Sequence, residues 1–277
     1  MNKWYNYLNG FILEGSYLKK IPRWIKVLLA TFLAIVLLFA VLFGRTLLDL
    51  THVRPLATGA ITQNVYAVQT GTANFFLIRS DSGYIAVDAG ADMVQAEEGL
   101  YELGISPQDI VAIFLTHGDS DHIAAISLFP NARLYLSEYE VQMIDGTTNR
   151  ASGLFLLLSR FMGFDVNNPV FPYEYLTLTN NEQVEIDGVL IQGILTPGHT
   201  PGTMCFLVNE RYLFTGDAMS IRRDGRAARM IRLFDMDDNQ ARESLSEIAT
   251  IQAEYIFTSH HGYSDNLDFT FENIRDR

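Results

Sequence analysis

Beyond Arg45 the chain contains no lysine at all. Its basic residues there are 14 arginines, set against 31 aspartates and glutamates, a balance of −17. A body so acidic does not hold nucleic acid through bulk electrostatics. Cysteine is nearly absent as well: Cys205 stands alone, so no intrachain disulfide can form. That suits a reducing compartment, yet disulfide-free exported proteins are common, and cysteine usage leaves the location open. Low-complexity tracts and internal repeats are also missing, which excludes the fibrous, solenoid and disordered classes. With 277 residues, nearly half of them apolar, the chain is long enough for one large core or two small ones.

The first 45 residues reverse the charge. Lys3, Lys19, Lys20, Arg23, Lys26 and Arg45 face only Glu14, a balance of +5. Residues 25–43 are a run of Ile, Val, Leu, Ala, Phe and Thr broken only by Lys26. At about 1.5 Å per residue such a run spans roughly the 30 Å hydrocarbon layer of a bilayer. A buried core helix of this length is rare in soluble folds. A cleaved signal peptide is the nearer rival, but the leader before the run is long and no small-x-small site follows it. Lys19, Lys20, Arg23 and Lys26 crowd its N-terminal side, with Arg45 and Arg54 beyond it. The positive-inside rule then keeps the N-terminus in the cytoplasm. The expected organisation is a cytoplasmic leader (1–24), a single-pass signal anchor in the cell membrane (25–44), a juxtamembrane connector (45–60) and an extracytoplasmic body (61–277).

Within the body the pattern turns to strands at 65–68, 74–78 and 84–87, the last two separated by Asp81-Ser82-Gly83. Residues 93–103 read as a helix closed by Gly104. The continuous apolar run 110–115 suits a buried strand, and His117 follows its C-terminal end. A second series of strands is expected at 183–186, 189–195, 203–208 and 212–215. A helix over 239–253, with Leu245, Ile248 and Ile251 on one side, leads into a strand at 255–258. Strands and helices alternating in two successive halves point to an α/β domain with layered sheets. Between the halves lies an irregular insertion, about 145–175.

Five of the six histidines occur in suggestive surroundings. His117 and His122 bracket Asp119 and Asp121 in one six-residue loop. His199 sits in the turn Thr196-Pro197-Gly198-His199-Thr200-Pro201-Gly202, Asp217 ends Phe214-Thr215-Gly216-Asp217, and His260 and His261 follow the strand at 255–258. A single histidine of this kind is more often a turn or core residue. Four groups at strand ends, where α/β folds place their working residues, mix imidazole with carboxylate as divalent transition metals prefer.

These motifs resemble those of the metallo-β-lactamase superfamily, in order, over roughly residues 61–264. Val87-Asp88-Ala89-Gly90 is similar to its early Asp-x-Gly turn, and Thr116-His117-Gly118-Asp119-Ser120-Asp121-His122 to its Thr-His-x-His-x-Asp-His signature. Pro197-Gly198-His199-Thr200-Pro201-Gly202, Thr215-Gly216-Asp217 and Ser259-His260-His261-Gly262 are similar to the remaining motifs. The resemblance implies an αββα sandwich carrying two divalent metals at one edge, with zinc the expected ion. It implies a first metal held by His117, Asp119 and His199, and a second held by Asp121, His122 and the last histidine, with Asp217 bridging. Aligning the strand and the Ser-His pair makes that last ligand His260; aligning the glycine makes it His261, and His260 is preferred. Asp88 reads as a turn residue supporting the ligands.

The chain departs from the pattern at Asp119, where most members have histidine, and at Ile123-Ala124-Ala125, which replaces a glycine pair. Aspartate is shorter and harder than imidazole, which widens the choice of metal to manganese or iron. Flavodiiron oxidoreductases place a carboxylate there. Competence-type membrane proteins carry similar His-x-Asp-x-Asp-His and His-His-Gly-Ser motifs, whereas the Pro-Gly-His turn is closer to glyoxalases and lactonases.

The expected activity is hydrolysis of an ester, lactone, amide or phosphodiester, with a bridging hydroxide between the two metals as nucleophile. Asp121 is the expected group to orient that water or shuttle its proton. The expected partners are a small or lipid-like substrate and the membrane itself. An iron-dependent oxidoreductase and a non-catalytic binding protein of the same fold are the alternatives. Two segments bear on the substrate. The apolar stretch 154–164 reads either as a packed helix or as a lid or bilayer-facing surface. Arg222, Arg223, Arg226, Arg229 and Arg232 read either as a solvated loop or, with Arg222 and Arg223 foremost, as a site for an anionic group.

Overall fold

The computed structural model describes residues 21–148 and 173–275. The leader up to residue 20, the apolar stretch 154–164 and most of the 145–175 insertion therefore lie outside the described residues. The rest falls into two compact units, meeting between Asp49 and Leu50.

The described part of the first unit is almost wholly the helix α1 (Arg23–Leu50), whose last residue opens the second. Its stretch Arg23–Val41 is long and apolar enough to cross a membrane, and none of it is buried in the protein. A helix apolar on every side belongs in hydrocarbon or in a large core. The helix also runs six residues into the segment expected to be a connector (45–60), because Arg45 to Leu50 contains no proline or turn pair to stop it.

The second unit is two sheets packed face to face. The first sheet begins with β1 (Gly59–Ala60), β2 (Val65–Thr70), β3 (Ala73–Arg79) and β4 (Tyr84–Val87), all antiparallel neighbours. The helix α2 (Met93–Leu103) then crosses over to β5 (Ile110–Phe114), parallel to β4. Gly104 ends α2, as its sequence predicts, and Asp92 caps its start by accepting from the Gln95 amide. One turn of helix, α3 (Ser120–Ile123), follows β5. The parallel strands β6 (Arg133–Ser137) and β7 (Tyr175–Leu178), with the short α4 (Val141–Ile144) between them, complete this sheet.

The second sheet has the order β15-β14-β11-β10-β9-β8. Its strands are β8 (Gln183–Ile186), β9 (Val189–Leu195), β10 (Met204–Val208), β11 (Tyr212–Phe214), β14 (Tyr255–Thr258) and β15 (Gly262–Ser264). Between β11 and β14 come a small hairpin, β12 (Ser220–Ile221) with β13 (Ala227–Ala228), and the helix α5 (Asp238–Ile248). A last helix, α6 (Leu267–Arg275), follows β15. None of β6, β7 and α6 is expected from the sequence. α5 stops at Ile248 rather than 253: the Ala249, Thr250 and Ile251 amides turn back onto Leu245, Glu247 and Ile248, closing the last turn.

Alternation along the strands builds three apolar layers. Phe76 and Ile78 of β3 point between the sheets, where they meet Phe206, Phe214 and Phe257, while Phe75 and Leu77 point outward onto Ala96 and Leu100 of α2. On the far side Cys205 and Leu207 of β10 pack under Leu245, Ile248 and Phe271 of α5 and α6. Aromatic rings stitch the sheets together, with Phe76 at 5.4 Å from Phe214 and Phe114 at 5.3 Å from Phe206. Both faces of β3 and β10 are covered, which is why these strands read as unbroken apolar runs. This is the αββα sandwich. Its chemistry-bearing loops follow the C-terminal ends of β4, β5, β9, β11 and β14.

Candidate metal centre

Asp88 leaves β4 in a left-handed conformation, φ 63°, that a non-glycine residue adopts only when its surroundings enforce it. Here the Thr116 amide donates to Asp88 Oδ1 at 2.8 Å, and the Thr116 hydroxyl lies 2.9 Å from Oδ2. Opposite, Gly216 (φ 51°) passes so close that a Cβ would fall 2.4 Å from Thr116 Oγ1. Only glycine fits there. The loops after β4, β5 and β11 are thereby locked together at one edge of the sandwich.

Four histidines converge on that edge, and each is fixed through Nδ1. His117 Nδ1 lies 3.0 Å from Thr116 Oγ1, His122 Nδ1 2.8 Å from Asp88 Oδ2, and His260 Nδ1 2.8 Å from the Thr72 carbonyl oxygen. His199 Nδ1 is 3.4 Å from Asp235 Oδ1. Acceptors on this side suit a proton on Nδ1 and turn Nε2 inward, where it would offer its lone pair to a bound cation. The acidic groups meet those nitrogens. Asp119 Oδ2 is 3.2 Å from Nε2 of both His117 and His199. Asp121 Oδ2 is 3.4 Å from His260 Nε2 and 3.8 Å from His122 Nε2. Asp217 spans the two sets, with Oδ2 at 3.3 Å from His199 Nε2 and Oδ1 at 3.2 Å from His260 and 3.6 Å from His122.

These separations suit a metal shell. Two ligands about 2.1 Å from one ion at a tetrahedral angle stand roughly 3.4 Å apart. The ligand atoms fall into close groups: His117, Asp119 and His199; His117, His122 and Asp217; Asp121, His122 and His260. His122 Nε2 and Asp217 Oδ1 are fully buried without a hydrogen-bond partner, a costly state that a cation between them would relieve. The charges agree. Burial pushes the His122 pKa down, yet Asp88, Asp121 and Asp217 outweigh it and hold it up at about 10. For His260, burial is likewise outweighed by Asp217 and Asp121, giving about 9. Asp217, despite its burial, is driven well below the usual carboxylate range by His260, His122 and His199. The site demands positive charge.

The remaining sequence candidates fall elsewhere. His261 belongs to none of the ligand groups among the described residues. Burial, aided by His260, pushes its pKa down to about 4, so it is a neutral packed ring beside the centre. Arg222 and Arg223 sit at the tip of the β12–β13 hairpin. Arg223 Nη2 donates to the Thr51 carbonyl, and Arg54 Nη2 donates to the Arg222 carbonyl. Arg226 pairs with Glu272, while Arg229, Arg232 and Arg242 gather on Asp238. The side chains of Arg223, Arg226, Arg229 and Arg232 thus bond to the chain after α1 and to α5 and α6, and Arg222 is held there through its carbonyl. Sequence reasoning does not find Thr72, Glu140 or Asp235, whose partners are all distant in the chain.

The model of the metallo-β-lactamase superfamily matches residues 68–260. The chain belongs to that superfamily. Among curated relatives of this metallo-β-lactamase-fold protein, a probable metallo-hydrolase of Bacillus subtilis, YflN, is 27% identical over 261 residues, covering 82% of this chain and 93% of the relative. A probable polyketide biosynthesis zinc-dependent hydrolase of Bacillus velezensis, BaeB, is 29% identical over 144 residues, which span 51% of this chain and about half, 52%, of that relative. Among solved structures, a metallo-β-lactamase family protein of Thermus thermophilus superposes with a TM-score of 0.56 at 21% identity, covering 78% of this chain and 80% of that one. At that identity the likeness concerns the fold alone.

Proposed function

We infer that the chain is a metal-dependent hydrolase, and we propose that it works through two divalent ions while tethered to a membrane. The observation that carries this is Asp217, whose two oxygens face two different histidine sets. His117, Asp119 and His199 would hold one ion; Asp121, His122 and His260 would hold the other; Asp217 would be shared. Zinc suits the four imidazoles, and the extra carboxylate at Asp119 also admits manganese or iron. Bound ions supply the activation of a water near neutral pH and the polarisation of the bond under attack.

The protein's own groups do the rest. Asp88, Thr116, Asp235 and the Thr72 carbonyl hold the imidazoles rigid, so little reorganisation is needed as charge develops. Asp121 is the most open of the three central carboxylates, with 36% of its side chain exposed against 12% for Asp119 and 6% for Asp217. It is therefore the group placed to accept a proton from the attacking water. The bond cleaved is of ester, lactone, amide or phosphodiester type. A panel of phosphodiester, lactone and thioester reporters, offered to the purified full chain, tests this. At least one should turn over, a chelator should stop it, and added zinc or manganese should restore it. Turnover of none after metal loading would refute hydrolysis of these classes.

Anchoring by α1, N-terminus inward, is the second half of the proposal. It is supported by the length and apolar character of Arg23–Val41 and by Lys19, Lys20, Arg23 and Lys26 at its N-terminal side. A reporter joined after Arg277 should be active only outside the cytoplasm. Activity only inside would reverse the orientation.

A further inference from the structure

Glu140, in the turn after β6, is 1% exposed. A buried carboxylate is costly unless its oxygens are met by donors. Three donors meet this one. Its Oε1 accepts from the Gly118 amide at 2.8 Å; its Oε2 accepts from the Thr200 hydroxyl at 2.7 Å and the Gly202 amide at 3.1 Å. Burial still pushes its pKa up, against these donors. The contact is tight on the backbone side as well, since a Cβ at Gly202 would fall 2.3 Å from the Glu140 nitrogen.

The partners decide what the carboxylate does. Gly118 lies between His117 and Asp119, and Thr200 follows His199. One side chain thus ties the β5 loop to the β9–β10 turn, the two segments that carry the first ligand set. The second set is held by other groups, Asp88 behind His122 and the Thr72 carbonyl behind His260. We propose that Glu140 is a positioning residue that sets the separation of His117 and Asp119 from His199, and so controls metal affinity at the first set selectively. This rests on the two-ion reading of the centre.

Glutamine is the sharp test because it keeps the shape while turning one acceptor into a donor. In Glu140→Gln the new NH2 faces either the Gly118 amide or the Thr200 and Gly202 donors, and one loop is released. The full chain, wild type and variant, is titrated with cobalt(II) against a competing chelator while its visible spectrum is followed. The constant for the first set is recognised as the one lost in Asp119→Ala. In Glu140→Gln that constant should weaken by about 10- to 100-fold, the usual range when a ligand's supporting partner is lost. The other should change by less than about threefold. Thr200→Val, which removes one donor and keeps the charge, should move the same constant by a smaller factor. Equal weakening of both constants in step with a fall in melting temperature would mean a merely structural role and overturn the proposal. Two unchanged constants would overturn it while leaving the two-ion centre standing. A wild type that binds no cobalt would overturn both.

Discussion

Asp217→Ala should empty the whole centre rather than half of it. Each oxygen of this carboxylate serves a different histidine set, at 3.2–3.3 Å on each side. Its removal would take one ligand and one negative charge from both proposed ions at once, leaving Asp121 to face His122 and His260. Metal content should fall toward zero at micromolar ion concentrations. Hydrolysis should fall by on the order of 10³-fold or more, beyond the 10²–10³ that loss of a single charge-stabilising donor costs. Asp217→Asn keeps the volume and loses the charge, so it should weaken both ions without removing them. An Asp217→Ala protein that keeps one ion at full affinity would show that the carboxylate does not bridge.

Asp119→Ala should instead act on one side. Asp119 Oδ2 stands 3.2 Å from both His117 and His199, whereas Asp121, His122 and His260 form a group without it. One ion should weaken or leave and the other should stay. Turnover should still drop by orders of magnitude, because a water activated between two ions needs both. Asp119→His restores the commoner superfamily ligand. If aspartate simply replaces histidine here, that variant binds metal and shifts its preference toward zinc. If the loop has been reshaped around the shorter side chain, imidazole clashes and metal is lost. Asp119→Ala with both ions and near-normal turnover would remove Asp119 from the ligand set.

Much of the sandwich is legible in the sequence because local rules and tertiary packing agree in it. β4, α2, β8, β9 and β14 begin and end where the apolar pattern and Gly104 place them. β6 is not legible because Leu134-Tyr135-Leu136 is short and stands among charged neighbours, and it becomes a strand by pairing with β5. The end of α5 is misplaced by its sequence because Ile251 continues the apolar spacing after the backbone has already turned.

In the centre, the inward-pointing residues are legible through their motifs. The residues that hold them are not. Thr72 reaches His260 across 188 positions and Glu140 reaches Thr200 across 60. Such partners are joined only by the fold and leave no spacing to read. The arginines show the opposite case, near in sequence and apart in the fold. Of their two readings, the exposed loop is the one that fits Arg222 and Arg223. Arg222 and Arg223 lie five and six positions after Asp217 in the chain, yet the β12–β13 hairpin carries them to Thr51 and Arg54.

Elemental analysis of the full chain, purified in detergent, loaded with zinc or manganese and freed of excess ion, tests the central claim most directly. Two histidine–aspartate sets sharing Asp217 predict about two divalent ions per chain, falling to about one in Asp119→Ala and toward none in Asp217→Ala. A stoichiometry near zero in the loaded wild type would contradict the account.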